Sequence, residues 1–146
     1  MFSSNRRTLN WIYHSINLSR MNVLVAEDNL FTARQYHKVL EKGGHTVTIT
    51  RDGNECLEKY DKNLSEFDSL DTHPFDVVLL DNNMPAKNGA EVAKSILDKN
   101  PNQRIIFASA YDIDALLKAP GGIKDSVEVL QKPFSLSTLL SKIENK

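Results

Sequence analysis

Five short runs rich in Val, Ile and Leu recur along the chain, at 22–26 (NVLVA), 46–50 (TVTIT), 76–80 (DVVLL), 104–108 (RIIFA) and 127–130 (VEVL). Several are apolar at consecutive positions. A strand wetted on one face alternates apolar and polar residues, so an unbroken apolar run marks a strand covered on both faces, as in a parallel sheet between helix layers. The stretches between the runs carry helical spacing instead. Ala33, Tyr36 and Leu40 precede Gly43-Gly44, a helix C-terminus signal, and Asp52 and Glu55 stand in capping-box spacing ahead of Leu57, Tyr60, Leu64 and Phe67. Strands alternating with helices predict right-handed βαβ crossovers and an open α/β sheet. The second connection is long: KNLSEFDSLDTHP at 62–74 either extends its helix, breaks near Asn63 and Ser65, or forms a polar surface loop.

A chain of 146 residues, 40% hydrophobic and 25% charged, fits one compact domain with a single core. Its 18 Lys plus Arg against 19 Asp plus Glu leave a net charge of -1, which argues against direct nucleic-acid binding and against an anionic membrane surface. Cys56 is alone, so no intrachain disulfide forms and no zinc-type cluster exists; a reducing, cytoplasmic compartment is expected. No apolar run approaches the roughly 20 residues that span a bilayer, so no membrane insertion is expected. Residues 1–20, MFSSNRRTLNWIYHSINLSR, hold Arg6, Arg7 and Arg20 and no acid. Leu9, Ile12, Tyr13 and Ile16 in this leader fall at helical spacing, and its composition is also that of an organellar transit peptide. A second methionine, Met21, stands where the first strand begins. The expectation is an N-terminal extension over 1–20, either a disordered tail with no separate role or a short helix docked on the domain, followed by a domain over 21–146.

In an open α/β sheet, ligands bind outside the carboxyl ends of the strands, where the strand order reverses. The first run ends in Glu27 and Asp28, the third in Asp81, the fourth in Ser109, and the fifth leads to Lys132-Pro133. Taken singly, each has a plain explanation as a cap, a turn former or a solvated charge. Taken together they do not, because packing alone requires no polar group at every one of those ends. Clustered carboxylates repel unless a cation neutralises them, and a small hard ion such as Mg²⁺ suits oxygen donors while leaving room for a phosphoryl oxygen. In such a site Asp81 would serve as nucleophile, with Lys132 and the Ser109 hydroxyl binding the remaining phosphoryl oxygens.

The motifs VLVAEDN, VVLLDNNMPAKNG, IIFASA and QKPF, in this order and spacing, resemble the receiver domain of two-component response regulators. The resemblance covers residues 21–146. It implies a flavodoxin-like doubly wound (βα)5 fold with a parallel five-stranded sheet of order 2-1-3-4-5. It also implies that Asp81 is the phosphoacceptor, that Asp28 and Asp81 supply Mg²⁺ carboxylates, that the Asn83 backbone carbonyl is a third ligand, and that Glu27 is reached through water. Ser109 corresponds to the switch hydroxyl, Ala110 to the small residue after it, and Lys132 to the ion-pairing lysine, with a cis bond to Pro133. Met84-Pro85 and Gly89 fit the loop after the acceptor, Gly89 as a position for positive φ. Three features depart from the pattern: Val129 occupies the usual aromatic position of the fifth strand, Ser replaces Thr at 109, and the second connection is long.

The expected function is therefore that of a stand-alone response regulator, not an enzyme acting on other substrates. It would take a phosphoryl group from a histidine kinase or histidine phosphotransfer protein and signal by changed protein contacts or by phosphorelay. A downstream protein would meet the face made by the fourth helix, fifth strand and fifth helix. Two other readings exist: an unphosphorylated pseudo-receiver serving as a protein-binding module, and a metal-dependent phosphatase. The second is disfavoured because Asn83, two residues after Asp81, cannot act as a general acid.

Overall fold

In the computed structural model, residues 20–66, 74–82, 88–110 and 126–145 are described. The expectations for residues 1–19 of the leader, for Phe67, for Asn83 and Met84-Pro85, and for the helix expected between the fourth and fifth strands lie outside them. The described elements are β1 (Asn22–Ala26), α1 (Leu30–Lys42), β2 (Thr46–Thr50), α2 (Gly53–Glu66), β3 (Val77–Asp81), α3 (Gly89–Lys99), β4 (Ile105–Ser109), β5 (Glu128–Gln131) and α4 (Leu136–Glu144). The strands form one parallel sheet in the order β2-β1-β3-β4-β5, as the family resemblance implies.

Successive side chains of a strand point to opposite faces, and the core divides accordingly. Leu24, Ala26, Val78, Leu80, Ile105 and Phe107 meet Cys56 and Tyr60 of α2 and Val92, Ala93 and Ile96 of α3. On the other face Val23, Val25, Val77, Leu79, Ile106 and Ala108 meet Tyr36 and Leu40 of α1 and Leu139 and Ile143 of α4. All five residues of β3 and of β4 are buried, which accounts for their consecutive apolar side chains. The edge strand β5 buries only Leu130, and Val129 is 42% exposed.

Helix starts are fixed by side-chain acceptors for otherwise unpaired N–H groups. Asn29 Oδ1 accepts from Thr32 N at 2.9 Å, Asn88 Oδ1 from Glu91 N at 2.9 Å, and Ser135 Oγ from Thr138 N at 3.0 Å. At α2, Asp52 Oδ1 accepts from Glu55 N at 2.8 Å, while Glu55 Oε2 reaches back to Arg51 N at 2.8 Å. The capping pair is thus present, with the return bond one residue further out than a regular box would place it. That helix runs unbroken past Asn63 and Ser65 to Glu66. Gly44, at the end of α1, has φ +93. Gly89 does not serve the purpose expected of it. It is the first residue of α3, and among the described residues positive φ occurs at Gly44 alone. A Cβ on Gly89 would lie 2.8 Å from Phe107 Cε1 and 3.0 Å from the Asp81 carbonyl oxygen, so the glycine lets α3 approach the end of β3 closely.

The amino-terminal ends of the strands are closed by polar ties. Buried His45 accepts from Met21 N through Nδ1 at 3.0 Å and meets Glu144 Oε1 through Nε2 at 3.0 Å, joining the start of β1 to the last helix. Arg104 donates to Glu128 at 2.6 Å and to the carbonyls of Lys142 and Ile143, which the end of α4 leaves unpaired. Among the described residues, no helix is long and apolar enough to cross a membrane.

Candidate active site

Asp81 is the last residue of β3, pairs with Ala108 of β4, and is 5% exposed. Burial of the apolar run before it makes that strand a fixed support. Glu27 follows the last residue of β1 and is anchored twice: its N–H donates to Thr50 O at 3.0 Å, and its Oε1 accepts from Asn29 N at 3.1 Å. Its Oε2 is buried with no hydrogen-bond partner among the described residues. Asp28, the next residue, is exposed. One carboxylate oxygen from each of Glu27, Asp28 and Asp81 lies within 4.8 Å of the others.

Lys132 stands across this group. Its Nζ is 3.4 Å from Asp81 Oδ1 and 3.7 Å from Glu27 Oε2, while its backbone N–H donates to Ser109 O at 2.7 Å. Among the described residues the Lys132 ammonium thus meets two of the three carboxylates, Asp81 and Glu27. Burial pushes the Glu27 carboxyl up to about 7; the Asn29 N–H opposes the rise, the Asp81 charge adds to it, and Lys132 offsets part of it. A group of hard oxygen donors, with three carboxylates against the Lys132 ammonium and one buried oxygen lacking a hydrogen bond among the described residues, fits a divalent cation of the Mg²⁺ type. Ser109 ends β4, 1% exposed, and the exposed Ala110 follows it. The bond between Lys132 and Pro133 is cis. A cavity of about 750 Å³ opens beside Lys132, bounded by Thr32, Gln35 and Tyr36 of α1, by Ala110, and by 133–136.

The response regulator receiver domain model matches residues 23–144. The chain belongs to the response regulator receiver family. This receiver is 32% identical over 122 residues to the response regulator receiver protein CpdR of Brucella abortus, an alignment spanning 84% of this chain and 92% of that one. It is 30% identical over 124 residues to the chemotaxis protein CheY of Thermotoga maritima, with 83% and 92% of the two chains covered. Among solved structures it is similar to the CheX–CheY–BeF3–Mg²⁺ complex from Borrelia burgdorferi, at TM-score 0.69 and 26% identity over 84% of this chain and 85% of that one. Receiver domains are phosphorylated by histidine kinases or phosphotransfer proteins, and these relatives are signalling proteins.

Of the residues singled out from the sequence, the fold brings Glu27, Asp28, Asp81 and Lys132 to one place, with Ser109 at the adjoining strand end. Asn83 lies outside the described residues. One residue at this site carried no distinctive signal in the sequence. Tyr36 reads as one apolar position of a helical stripe, yet its ring stacks on Phe134, centroids 5.9 Å and planes 26° apart, at the wall of the cavity. Burial raises the Tyr36 hydroxyl above the ordinary tyrosine value, and the Glu27 and Asp81 charges add to the effect. The single cysteine plays no part here: burial in the core beneath α2 pushes the Cys56 thiol up to about 12, so it remains protonated at neutral pH.

Proposed function

We propose that residues 21–146 form a receiver that accepts a phosphoryl group on Asp81 from the phosphohistidine of a histidine kinase or phosphotransfer protein in the cytoplasm. The observation that carries this reading is the buried Asp81 carboxylate with the Lys132 ammonium 3.4 Å away and the Glu27 and Asp28 oxygens beside it. Asp28, Asp81 and the Asn83 carbonyl would hold Mg²⁺, and Glu27 would bind it through water. Bound there, Mg²⁺ would neutralise the carboxylates and the developing charge on the phosphoryl oxygens.

The chain's own residues do the rest. An Asp81 carboxylate oxygen forms the new bond to phosphorus as the bond from phosphorus to the imidazole nitrogen breaks, and the nitrogen keeps the electron pair. Burial of β3 holds that oxygen in line, so alignment and charge neutralisation carry the transfer. Lys132 then offsets the added negative charge, and the Ser109 hydroxyl moves toward a phosphoryl oxygen. The Mg²⁺ and beryllofluoride in the Borrelia complex support the same chemistry in a relative. The modified domain signals through altered protein contacts or passes the group on; it catalyses only its own phosphorylation and dephosphorylation.

Intact mass after incubation with Mg²⁺ and acetyl phosphate tests the reading. One phosphoryl group should be added to the wild type, be labile to base, and be absent from Asp81→Asn. A wild type that stays unmodified with metal and donor in excess would leave the binding-module reading in its place.

A further inference from the structure

The turn that carries Lys132 is held from two sides. Its backbone N–H is bonded to Ser109 O, which fixes the main chain to the end of β4. That bond does not direct the side chain, which is a flexible four-carbon stem ending in a point charge. Two residues further on, Phe134 lays its ring against Tyr36 of α1. Tyr36 is 5% exposed and sits in the core cluster of this face, and Phe134 packs on the same cluster. Both rings line the cavity that Lys132 and Pro133 also bound. The other buried positions of α1 are Ala33 and Leu40, and among the described residues of this core cluster Tyr36 and Phe134 are the rings.

We infer that Tyr36 is a positioning residue for Lys132: its ring, stacked on Phe134, holds the turn at 132–135 against α1 and so keeps the Lys132 ammonium directed at Asp81. A lysine on a loose turn would be ordered anew at each encounter with a phosphoryl group, whereas a turn locked by packing has lost that freedom on folding. The stack bears on the phosphoryl half of the site through Phe134, whereas Glu27, Asp28 and Asp81 stand at the ends of β1 and β3; the Tyr36 hydroxyl, which feels the Glu27 and Asp81 charges, is the part that Tyr36→Phe removes. The inference rests on the reading of Asp81 as phosphoacceptor.

The full chain is titrated with beryllofluoride at saturating Mg²⁺, followed by ¹⁹F NMR, and separately with Mg²⁺ alone, followed by amide shifts. Tyr36→Leu should bind beryllofluoride about two- to tenfold more weakly, the range an aromatic pair is worth, with Mg²⁺ affinity unchanged. Tyr36→Phe, which keeps the ring, should match the wild type, and Phe134→Leu should reproduce the loss from the other side of the stack. In a Lys132→Ala background, Tyr36→Leu should add nothing. Unchanged beryllofluoride affinity in Tyr36→Leu overturns the inference. So does a parallel loss of Mg²⁺ affinity, or a further loss without Lys132, either of which would assign Tyr36 to packing alone. A wild type that binds Mg²⁺ but no beryllofluoride would overturn the phosphoacceptor reading, and this inference with it.

Discussion

One oxygen of Glu27 is buried without a hydrogen-bond partner among the described residues, and burial raises the group's affinity for a proton. Its value rises from 4.5 to about 7 on folding, with burial as the main cause. Between those values the folded chain binds more protons than the unfolded one, so stability declines as pH increases. The stabilisation from this proton is fully present below about 4.5 and is lost as pH rises through about 7. Metal-free protein should therefore show a falling unfolding midpoint from pH 5 to pH 8. Saturating Mg²⁺, which favours the ionised carboxylates, should flatten or reverse the trend, and Glu27→Gln should flatten it without metal. Thermal unfolding at several pH values checks all three; a metal-free midpoint that rises across this window would contradict the buried-acid account.

The apolar runs located all five strands, but β3, β4 and β5 each lie one residue later than their runs. Apolar side chains report burial, while pairing continues into polar residues: Asp81 opposite Ala108, and Ser109 opposite Gln131. The polar groups at the strand ends were legible for the same reason, since charge at the mouth of a buried run has no use in packing. What was illegible depends on contacts between distant segments. Nothing near Tyr36 in sequence announces Phe134, nothing near His45 announces Glu144, and the crowding that requires glycine at 89 comes from Phe107. The exposed Val129 on β5 bears on how a change at Ser109 travels outward. A short branched side chain cannot swing between buried and exposed positions as a ring can, so the change should pass into the segment following Ser109. Adding Mg²⁺ and beryllofluoride should shift amide resonances at 110–122 more than at 127–130. The opposite pattern would show that β5 transmits the signal without a ring.

Taken as a unit, the domain is tied at its start by Met21, which is 5% exposed and whose N–H donates to His45. A chain beginning at Arg20 keeps that amide uncharged and should unfold at the same temperature as the full chain, and take up phosphate equally well. About 1 kcal/mol moves the midpoint of a domain this size by roughly 2–6 °C, so a drop in that range would mean that Trp11 and its apolar neighbours pack on the domain. The sheet order has a consequence of its own for the lifetime of a modified site. Glu27, Asp28 and Asp81 stand at the ends of β1 and β3, each paired on both sides, whereas Lys132 follows β5, a four-residue strand at the margin with a single neighbour. Strands at a margin open and reclose most readily, without unfolding of the centre. Slow amide exchange in β1, β3 and β4 beside faster exchange in β5 would mark a site whose carboxylate half sits at the centre of the sheet and whose ammonium half depends at its margin on the Ser109 bond and the Tyr36–Phe134 stack. Retention of the phosphoryl group would then follow the breathing of one short strand, while the grip on the metal would not.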